Sequence, residues 1–415
     1  MNRHLMSLML LASIAGCGPG AQQAFSEKSA PLPARSFAVQ WAEDVQPVDD
    51  PITALHVADD FVFAYTRGGT SHVLARDTGQ LLHIDPPQDG RLRLHPPVVL
   101  KERIVYPTTT YLEVFDFNGR YISHPSHIGD DTSKPFSQQL KYPIRSDAVG
   151  NGKNLLFFGA DYPGGGRVVA ADMTSPYVPE VWTLLQPGAG ISAAPAVLKD
   201  VVFVADEQGR VEAASIESRA QLWTLPNGVF SAYAGVTGNL FADATGLYVA
   251  ATDSKLYCIK TNDGRIKWQY NSGAPLHRGP TVTTDTVYQY VPGAGIAALD
   301  KAESTDPQRP NYLRQPRWIV GSARQFLAQD EQNAYLRTSN NTILAVNKQT
   351  GQTEFESKRS DLAHFATNTK DAMIYCATSG GRVFAVKPVL HAGGVGQIVF
   401  APLVPRAREQ VVSAR

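Results

Sequence analysis

Short apolar runs alternate with polar turns along most of the chain, and one series of elements recurs. The stretch LYVAATDSKLYCIKTNDGRIKWQY (247–270) has an apolar strand with an aromatic, a polar turn, a second apolar strand, a turn with Gly, and a third strand with Trp. No segment keeps a helical period, so the chain is predicted to be all-β. Similar copies lie at 61–84, 103–124, 155–184, 201–225, 287–320, 334–357 and 373–389.

An aromatic residue marks the first strand of every copy. The copies are spaced about 40–50 residues apart, the period of four-stranded propeller blades. Small residues, Pro and β-branched residues precede the copies, as at 191–200 and 276–285, and suit an innermost strand beside a narrow axis. The repeat therefore predicts eight blades. The eight marker aromatics are Phe63, Tyr106, Phe157, Phe203, Tyr248, Tyr288, Tyr335 and Tyr375.

The two ends of the repeat region complement each other. The eighth copy lacks a third strand, whereas SFAVQWAEDV (36–45) is a Trp-bearing strand with no strands of its own before it. If this strand completes the last blade, no exposed sheet edge remains to template aggregation. The predicted fold is an all-β, eight-bladed β-propeller of four-stranded antiparallel blades over residues 36–390. Its third strands carry Trp41, Leu82, Tyr121, Trp182, Trp223, Trp268, Trp318 and Phe355.

Gly recurs at the turns between second and third strands, which makes it an architectural feature. Asp263-Gly264 is predicted to form a hairpin turn with positive φ at Gly, and Trp268 to pack between blades. Equivalent turns are Thr78-Gly79, Asn118-Gly119 and Thr350-Gly351.

Residues 1–16 are predicted to be a lipoprotein signal peptide. Arg3 supplies positive charge, and the apolar segment 5–15 is too short to span a bilayer as a helix. The sequence that ends at Cys17 resembles the lipobox of bacterial lipoproteins, which implies that Cys17 is acylated. An ordinary secretory signal that contains a Cys is the alternative. Residues 17–35 are predicted to be a flexible tether and 391–415 a C-terminal tail.

Composition narrows the classes of partner. The chain has 38 Lys and Arg against 38 Asp and Glu, so its formal net charge is zero. This balance gives no electrostatic reason to expect nucleic acid as a partner. Cys258 and Cys376 lie on different repeat units inside apolar runs, and both are predicted to be buried, inert thiols.

Motifs with reactive side chains are interpreted as structural. The loop 124–131 offers four side chains of metal-ligating type, but no matching ligands lie nearby in the sequence. The Gly-rich segments 159–167, 187–191 and 292–296 open no predicted helix and are interpreted as turns. The sequence therefore predicts no catalytic, cofactor-binding or metal site. The loop side chains are His124, His127, Asp130 and Asp131.

Carboxylates also gather at the turns between first and second strands. These are Asp161, Asp206, Glu207 and Asp253. They are predicted to be hydrated turn residues, with a calcium site as the alternative.

The copies at 201–225, 247–270 and 334–357 resemble the repeat of pyrroloquinoline-quinone-like (PQQ-like) propellers, and the resemblance spans about residues 36–390. One branch of that superfamily, the quinoprotein dehydrogenases, holds the quinone and a calcium ion in the propeller funnel. Members of that branch also carry a disulfide between neighbouring Cys, which this chain lacks, and the repeats leave little chain for active-site walls. The resemblance therefore favours the non-catalytic branch, the BamB-like lipoproteins of outer-membrane assembly.

The expected function is that of a monomeric, lipid-anchored scaffold without cofactor that binds protein partners in the bacterial cell envelope. The resemblance implies a β-barrel assembly component as partner and a place on the outer membrane, facing the periplasm. A PQQ-dependent dehydrogenase, and a propeller that binds a small ligand or polysaccharide, are the alternatives. Loops 124–143, 161–167 and 301–316 depart most from the repeat and are expected to contact partners.

Overall fold

The computed structural model describes residues 34–45, 50–87, 94–120, 137–173, 180–187, 189–225, 234–302 and 313–391. All regular secondary structure in these ranges is β-strand, and it forms eight small sheets. The innermost strands of several neighbouring sheets contact each other, and those of the first and last sheets do so too. The predicted eight-bladed propeller is confirmed.

The first four blades follow each other along the chain, and within each the chain runs from the innermost strand to the outermost. Blade 1 is β2 (Ile52–Ala58), β3 (Phe61–Thr66), β4 (Ser71–Ala75) and β5 (Leu81–Asp85). Blade 2 is β6 (Val98–Leu100), β7 (Arg103–Pro107), β8 (Tyr111–Phe115) and β9 (Ser137–Gln139). Blade 3 is β10 (Val149–Gly150), β11 (Leu155–Tyr162), β12 (Gly165–Asp172) and β13 (Glu180–Pro187). Blade 4 is β14 (Ala196–Leu198), β15 (Val201–Ala205), β16 (Val211–Ser215) and β17 (Gln221–Leu225).

The remaining blades depart from this order in two places. Blade 5 is β18 (Phe241–Asp243), β19 (Gly246–Ala251), β20 (Lys255–Ile259) and β21 (Ile266–Asn271), with β25 (Leu313–Arg314) outside them. Blade 6 is β22 (Thr281–Val282), β23 (Thr286–Val291), β24 (Gly295–Asp300) and β26 (Trp318–Val320). Blade 7 is β27 (Ala323–Gln329), β28 (Asn333–Thr338), β29 (Thr342–Asn347) and β30 (Thr353–Lys358). Blade 8 is β31 (Leu362–Phe365), β32 (Ile374–Thr378), β33 (Arg382–His391) and β1 (Ala34–Asp44).

The marker aromatics form the core of the blades. Each lies on the first strand of its repeat copy, which is the second strand of its blade because an innermost strand precedes it. Each is fully buried, as Phe63 and Tyr248 are. The innermost strand predicted ahead of each copy is therefore confirmed. Second and third strands are apolar almost throughout, because both of their faces pack against neighbouring blades. β3, for example, is buried at every position.

The ring closes as predicted. β1 pairs antiparallel with β33 from Ala34 opposite His391 to Asp44 opposite Arg382. The first and last described strands thus share one sheet, and the last blade keeps no open outer position.

Trp side chains of one blade pack against turn glycines of the next blade. The Trp41 ring lies beneath Gly79 of the next blade, where an added Cβ would come within 2.4 Å of the ring. Trp318 lies likewise beneath Gly351, and its Nε1 donates a 2.8 Å hydrogen bond to the Lys348 carbonyl. Gly79 and Gly351 have φ of 71° and 75°, in the left-handed region that favours glycine. The predicted roles in hairpin turns and inter-blade packing are confirmed.

Leu82 lies on the outermost strand of blade 1, as predicted, but it does not occupy the position of Trp in other blades. A bulge in β5 places His83, not Leu82, opposite Val73, where other blades carry Trp. His83 is the side chain beneath Gly119, whereas Leu82 is exposed. In blade 2, Tyr121 lies outside the described residues, and the residue at the Trp position is Ser137 of β9, opposite Glu113.

Blade 5 has one strand more than predicted. β25 comes from the insertion 301–316 and pairs parallel with β21 on the outside of the sheet. Arg314 is buried there, with its guanidinium carbon 5.6 Å from the centre of the Trp268 ring. Part of this insertion therefore covers a sheet edge and is not a free loop.

Candidate functional site

Topology gives the disc two distinct faces. The terminal face carries the turns between first and second strands, such as 59–60, and those between third and fourth strands, such as 263–264. β1 begins and β33 ends at this face, because Ala34 lies opposite His391. The opposite face carries the turns between second and third strands, such as 163–164, and the connections between blades, such as 140–148.

Parts of two of the three predicted partner-binding loops meet at one place on the opposite face. Residues 124–136 lie outside the described residues, but 140–143 and 161–167 come together beside blade 4. The rings of Tyr142 and Tyr162 lie 3.9 Å apart, and the Arg167 guanidinium stacks 4.1 Å above Tyr162. Stacked Tyr and Arg side chains supply large, rigid, amphipathic contact area.

An ion-pair network extends this cluster from blade 3 to blade 4. Arg145 lies 3.1 Å from Asp161 and 3.0 Å from Glu207. The hydrogen bonds that Arg145 donates to Glu207 and Asp161 raise the pKa of its guanidinium. All three side chains are partly exposed, so the network contributes little to stability and leaves its charges accessible. We call the six residues the blade 3–4 patch: Tyr142, Arg145, Asp161, Tyr162, Arg167 and Glu207.

Two predicted turn carboxylates are not hydrated, which corrects that prediction. Asp206 is only 2% exposed, and its carboxylate accepts hydrogen bonds from the backbone of Gln208 and Arg210. The Asp253 side chain is only 4% exposed and accepts a hydrogen bond from the Tyr257 hydroxyl. Burial raises the pKa of both carboxyl groups. These residues brace turns from inside the fold.

The remaining sequence candidates bring no chemistry to the described structure. His124, His127, Asp130 and Asp131 lie outside the described residues, as does Cys17. Within the described ranges no three His, Cys, Asp or Glu side chains gather as a metal site. That part of the chain also contains no helix long and apolar enough to cross a membrane.

The two cysteines of the propeller are buried and unpaired, as predicted. Burial raises the pKa of the Cys258 thiol and of the Cys376 thiol to about 12. Because the thiolate is the reactive form, both groups are poor nucleophiles.

A polar channel along the axis was not predicted. Its cavity of about 580 Å³ lies against the innermost strands of blades 7, 8 and 1. The lining includes His56 of β2, Gln325 of β27, Arg337 of β28, His364 of β31 and Asn239 ahead of β18. Main-chain atoms and Pro96, Pro97, Leu55 and Phe365 complete the wall.

One carboxylate beside the channel already has hydrogen-bond partners. Asp147 accepts a 2.8 Å hydrogen bond from Asn239 and lies 3.0 Å from the ring nitrogen of His95. Burial raises the pKa of Asp147, but these contacts more than offset it and leave the value below its usual range. Burial lowers the pKa of His56 to about 4 and also lowers that of His364. Both histidines are therefore neutral at pH 7.

The sequence carried a weak signal for this channel. Polar residues lie just before or within the innermost strands, as Asp147, Asn239 and His364 do. They are far apart in the chain, so only ring closure brings them together.

Comparison with known proteins agrees with this architecture. Residues 233–306 match the family model described as outer membrane protein assembly factor BamB. Among solved structures, BamB from Moraxella catarrhalis superposes with a TM-score of 0.62 at 14% identity, over 85% of this chain and 98% of that one. The chain is an eight-bladed β-propeller similar to BamB. No curated protein matches the sequence.

Other solved structures share this fold. The computationally designed Ika8 protein matches with a TM-score of 0.58 at 16% identity, over 85% of this chain and 99% of that one. Quinohemoprotein alcohol dehydrogenase from Comamonas testosteroni matches with a TM-score of 0.58 at 11% identity, over 90% of this chain and 79% of that one. A designed protein and an enzyme share this architecture, so the likeness identifies the fold and not an activity.

Proposed function

We propose that this PQQ-like propeller is a non-catalytic, lipid-anchored scaffold that binds protein partners in the bacterial cell envelope. The nearest named role is BamB-like assistance in outer-membrane protein assembly. The match of residues 233–306 to the BamB family model supports the role, and the blade 3–4 patch supports the mode of action.

The blade 3–4 patch is the observation that carries the proposal. It combines stacked Tyr and Arg side chains with partly exposed ion pairs, and it spans two blades. Tyr and Arg are enriched among the residues that contribute most to protein–protein binding. Blades 3 and 4 hold the patch rigidly, so a partner orders few side chains when it binds.

The proposed anchor fits the position of the patch. β1 begins at the terminal face, so a tether from Cys17 reaches the disc on that side. Seventeen tether residues, from Cys17 to the start of β1, would span roughly 20–25 Å as a random coil. The blade 3–4 patch lies on the other face, where a membrane beneath the terminal face would not cover it.

Recovery of partners from envelope membranes tests the scaffold. The tagged full-length chain should enrich a β-barrel assembly component, and the double variant Arg145→Ala, Tyr162→Ala should lose about tenfold or more of it. Arg265→Ala is the matched control, because its side chain is 79% exposed on the terminal face. If no assembly component is enriched, or if the double variant recovers as much as the control, the proposed role is wrong.

The anchor needs its own test. Cys17→Ser should abolish incorporation of radiolabelled palmitate and move the protein from the membrane to the soluble fraction. Labelled fatty acid in the Cys17→Ser protein would contradict the proposed lipid site.

A PQQ-dependent dehydrogenase is supported only by the likeness to the quinohemoprotein fold. A calcium ion takes six to eight oxygen ligands, several of them carboxylates. The axial channel offers Asp147, which His95 and Asn239 already engage, beside the cationic Arg337. These residues do not fit a quinone–calcium site. Dye-linked alcohol oxidation by purified protein supplied with quinone and calcium would show otherwise.

A further inference from the structure

The axial channel contains a cation without a counter-charge. Arg337 of β28 lines the cavity, and its Nε atom is buried without a hydrogen-bond partner. Among the described residues it forms no ion pair, and its guanidinium only stacks 5.4 Å from the Phe365 ring. A partly buried cation with an unmet donor is costly, because desolvation removes water that nothing replaces.

The neighbouring charges increase this cost. Burial lowers the pKa of Arg337, and the positive charge of Arg278 lowers it further. Asp147, the carboxylate on this side of the axis, is bound by His95 and Asn239. The wall around Arg337 is therefore electropositive and lacks a negative group among the described residues.

The shape and lining of the cavity define what would fit. A volume of about 580 Å³ is in the range of about 300–1,000 Å³ that small-molecule sites have. Pro96, Pro97 and Leu55 give the wall an apolar part, and Phe365 adds an aromatic ring beside Arg337. Such a wall accommodates an apolar body attached to one charged group.

We propose that the axial channel binds a small organic acid whose carboxylate pairs with the guanidinium of Arg337. The planar fork of Arg matches a carboxylate with two parallel hydrogen bonds, and the buried Nε is one of the donors it needs. The apolar body of the acid lies toward Pro96 and Pro97. This site is separate from the blade 3–4 patch, so a ligand and a protein partner can bind together.

Isothermal titration of the full chain with sodium benzoate tests the site. Benzamide has the same shape without the charge, and inorganic phosphate has charge without an apolar body. Benzoate should bind, benzamide should not, and phosphate should bind more weakly than benzoate. Arg337→Gln should weaken benzoate binding by about tenfold or more, and Arg265→Gln should change it less than about twofold.

The variants also separate loss of binding from loss of fold. Arg337→Lys keeps the charge without the fork and should bind benzoate between wild type and Arg337→Gln. If Arg337→Gln does not fold, the benzoate affinity of Arg337→Lys alone tests the site. Absence of benzoate binding, equal binding of benzamide, stronger binding of phosphate, or unchanged affinity in the folded Arg337 variant would each overturn the proposal.

Discussion

Arg76 of blade 1 forms hydrogen bonds with blade 8 at the seam, the contact between the first and last blades where the ring closes. It lies in the turn between β4 and β5 of blade 1 and is only 9% exposed. Its Nε donates a 3.1 Å hydrogen bond to the Tyr375 hydroxyl, and Nη2 donates to Asn368 at 2.8 Å and to Asp371 at 3.0 Å. These three partners belong to blade 8. The Arg76 carbonyl also accepts a 3.0 Å hydrogen bond from Trp41 Nε1.

Arg76→Met keeps the aliphatic stem and removes every guanidinium contact. Hydrogen bonds to a charged donor contribute about 1.5–3 kcal/mol each when buried, which applies to Tyr375 and Asn368. Asp371 is half-exposed and regains water, so its share is about 1 kcal/mol at most. The partners keep some alternative hydrogen bonds, so we expect a loss of about 3 kcal/mol.

Native-state hydrogen exchange and urea unfolding measure this loss. Exchange of the amides in β1 and β33 should accelerate by about a hundredfold, since 1.4 kcal/mol is a factor of ten. Arg265→Met is the control: it removes an exposed pair with Asp263 at 3.5 Å and should cost less than about 0.5 kcal/mol. Equal stability of the two variants, with β1 still protected, would refute the role of Arg76 at the seam.

Three further predictions concern packing and buried charge. Gly351→Ala should lower the free energy of urea unfolding by about 2 kcal/mol or more, because its Cβ would overlap the Trp318 ring. Gly273→Ala is the control: its φ is also 75° but the space around it is open, so it should lower that free energy by about 1 kcal/mol. Equal losses in the two variants would contradict the Trp318 contact. Burial raises the pKa of Asp285, but Lys348 more than offsets it and leaves about 2. The Asp285–Lys348 pair therefore stabilises the fold above about pH 4. As pH falls from about 5 to 2, wild type should lose about 1 kcal/mol more unfolding free energy than Asp285→Asn. Equal losses in both proteins would refute the coupling. The two propeller thiols should stay unmodified by a disulfide reagent at pH 8 until urea unfolds the chain, whereas rapid labelling of native protein would contradict their burial.

The repeat made the architecture predictable, because each blade meets the same local demands. Marker aromatics, turn glycines and the strand around Trp41 all follow from packing rules that recur around the ring. Prediction failed where one blade departs from its siblings. Blade 1 carries His83 where other blades carry Trp, and the connection between β8 and β9 moves the outermost strand of blade 2 far beyond its expected place.

The sites were harder to predict because they depend on distant residues. Asp206 and Asp253 look like surface carboxylates in the sequence, yet neighbouring backbone amides and a hydroxyl let the fold bury them. The loop at 161–167 was predicted as a contact region, but its pairing with Tyr142 and Glu207 depends on how blades 2, 3 and 4 meet. The channel needs Asp147, Asn239 and Arg337 from three separate blades.

Closure by β1 also sets the order of events during biogenesis. The earliest strand to emerge must wait for the last one, since its hydrogen-bonding partner, Arg382–His391, is made only after every other blade. Until then a newborn chain carries an unmatched strand at one end and an incomplete sheet at the other. Bringing these ends together costs loop-closure entropy over nearly the full length.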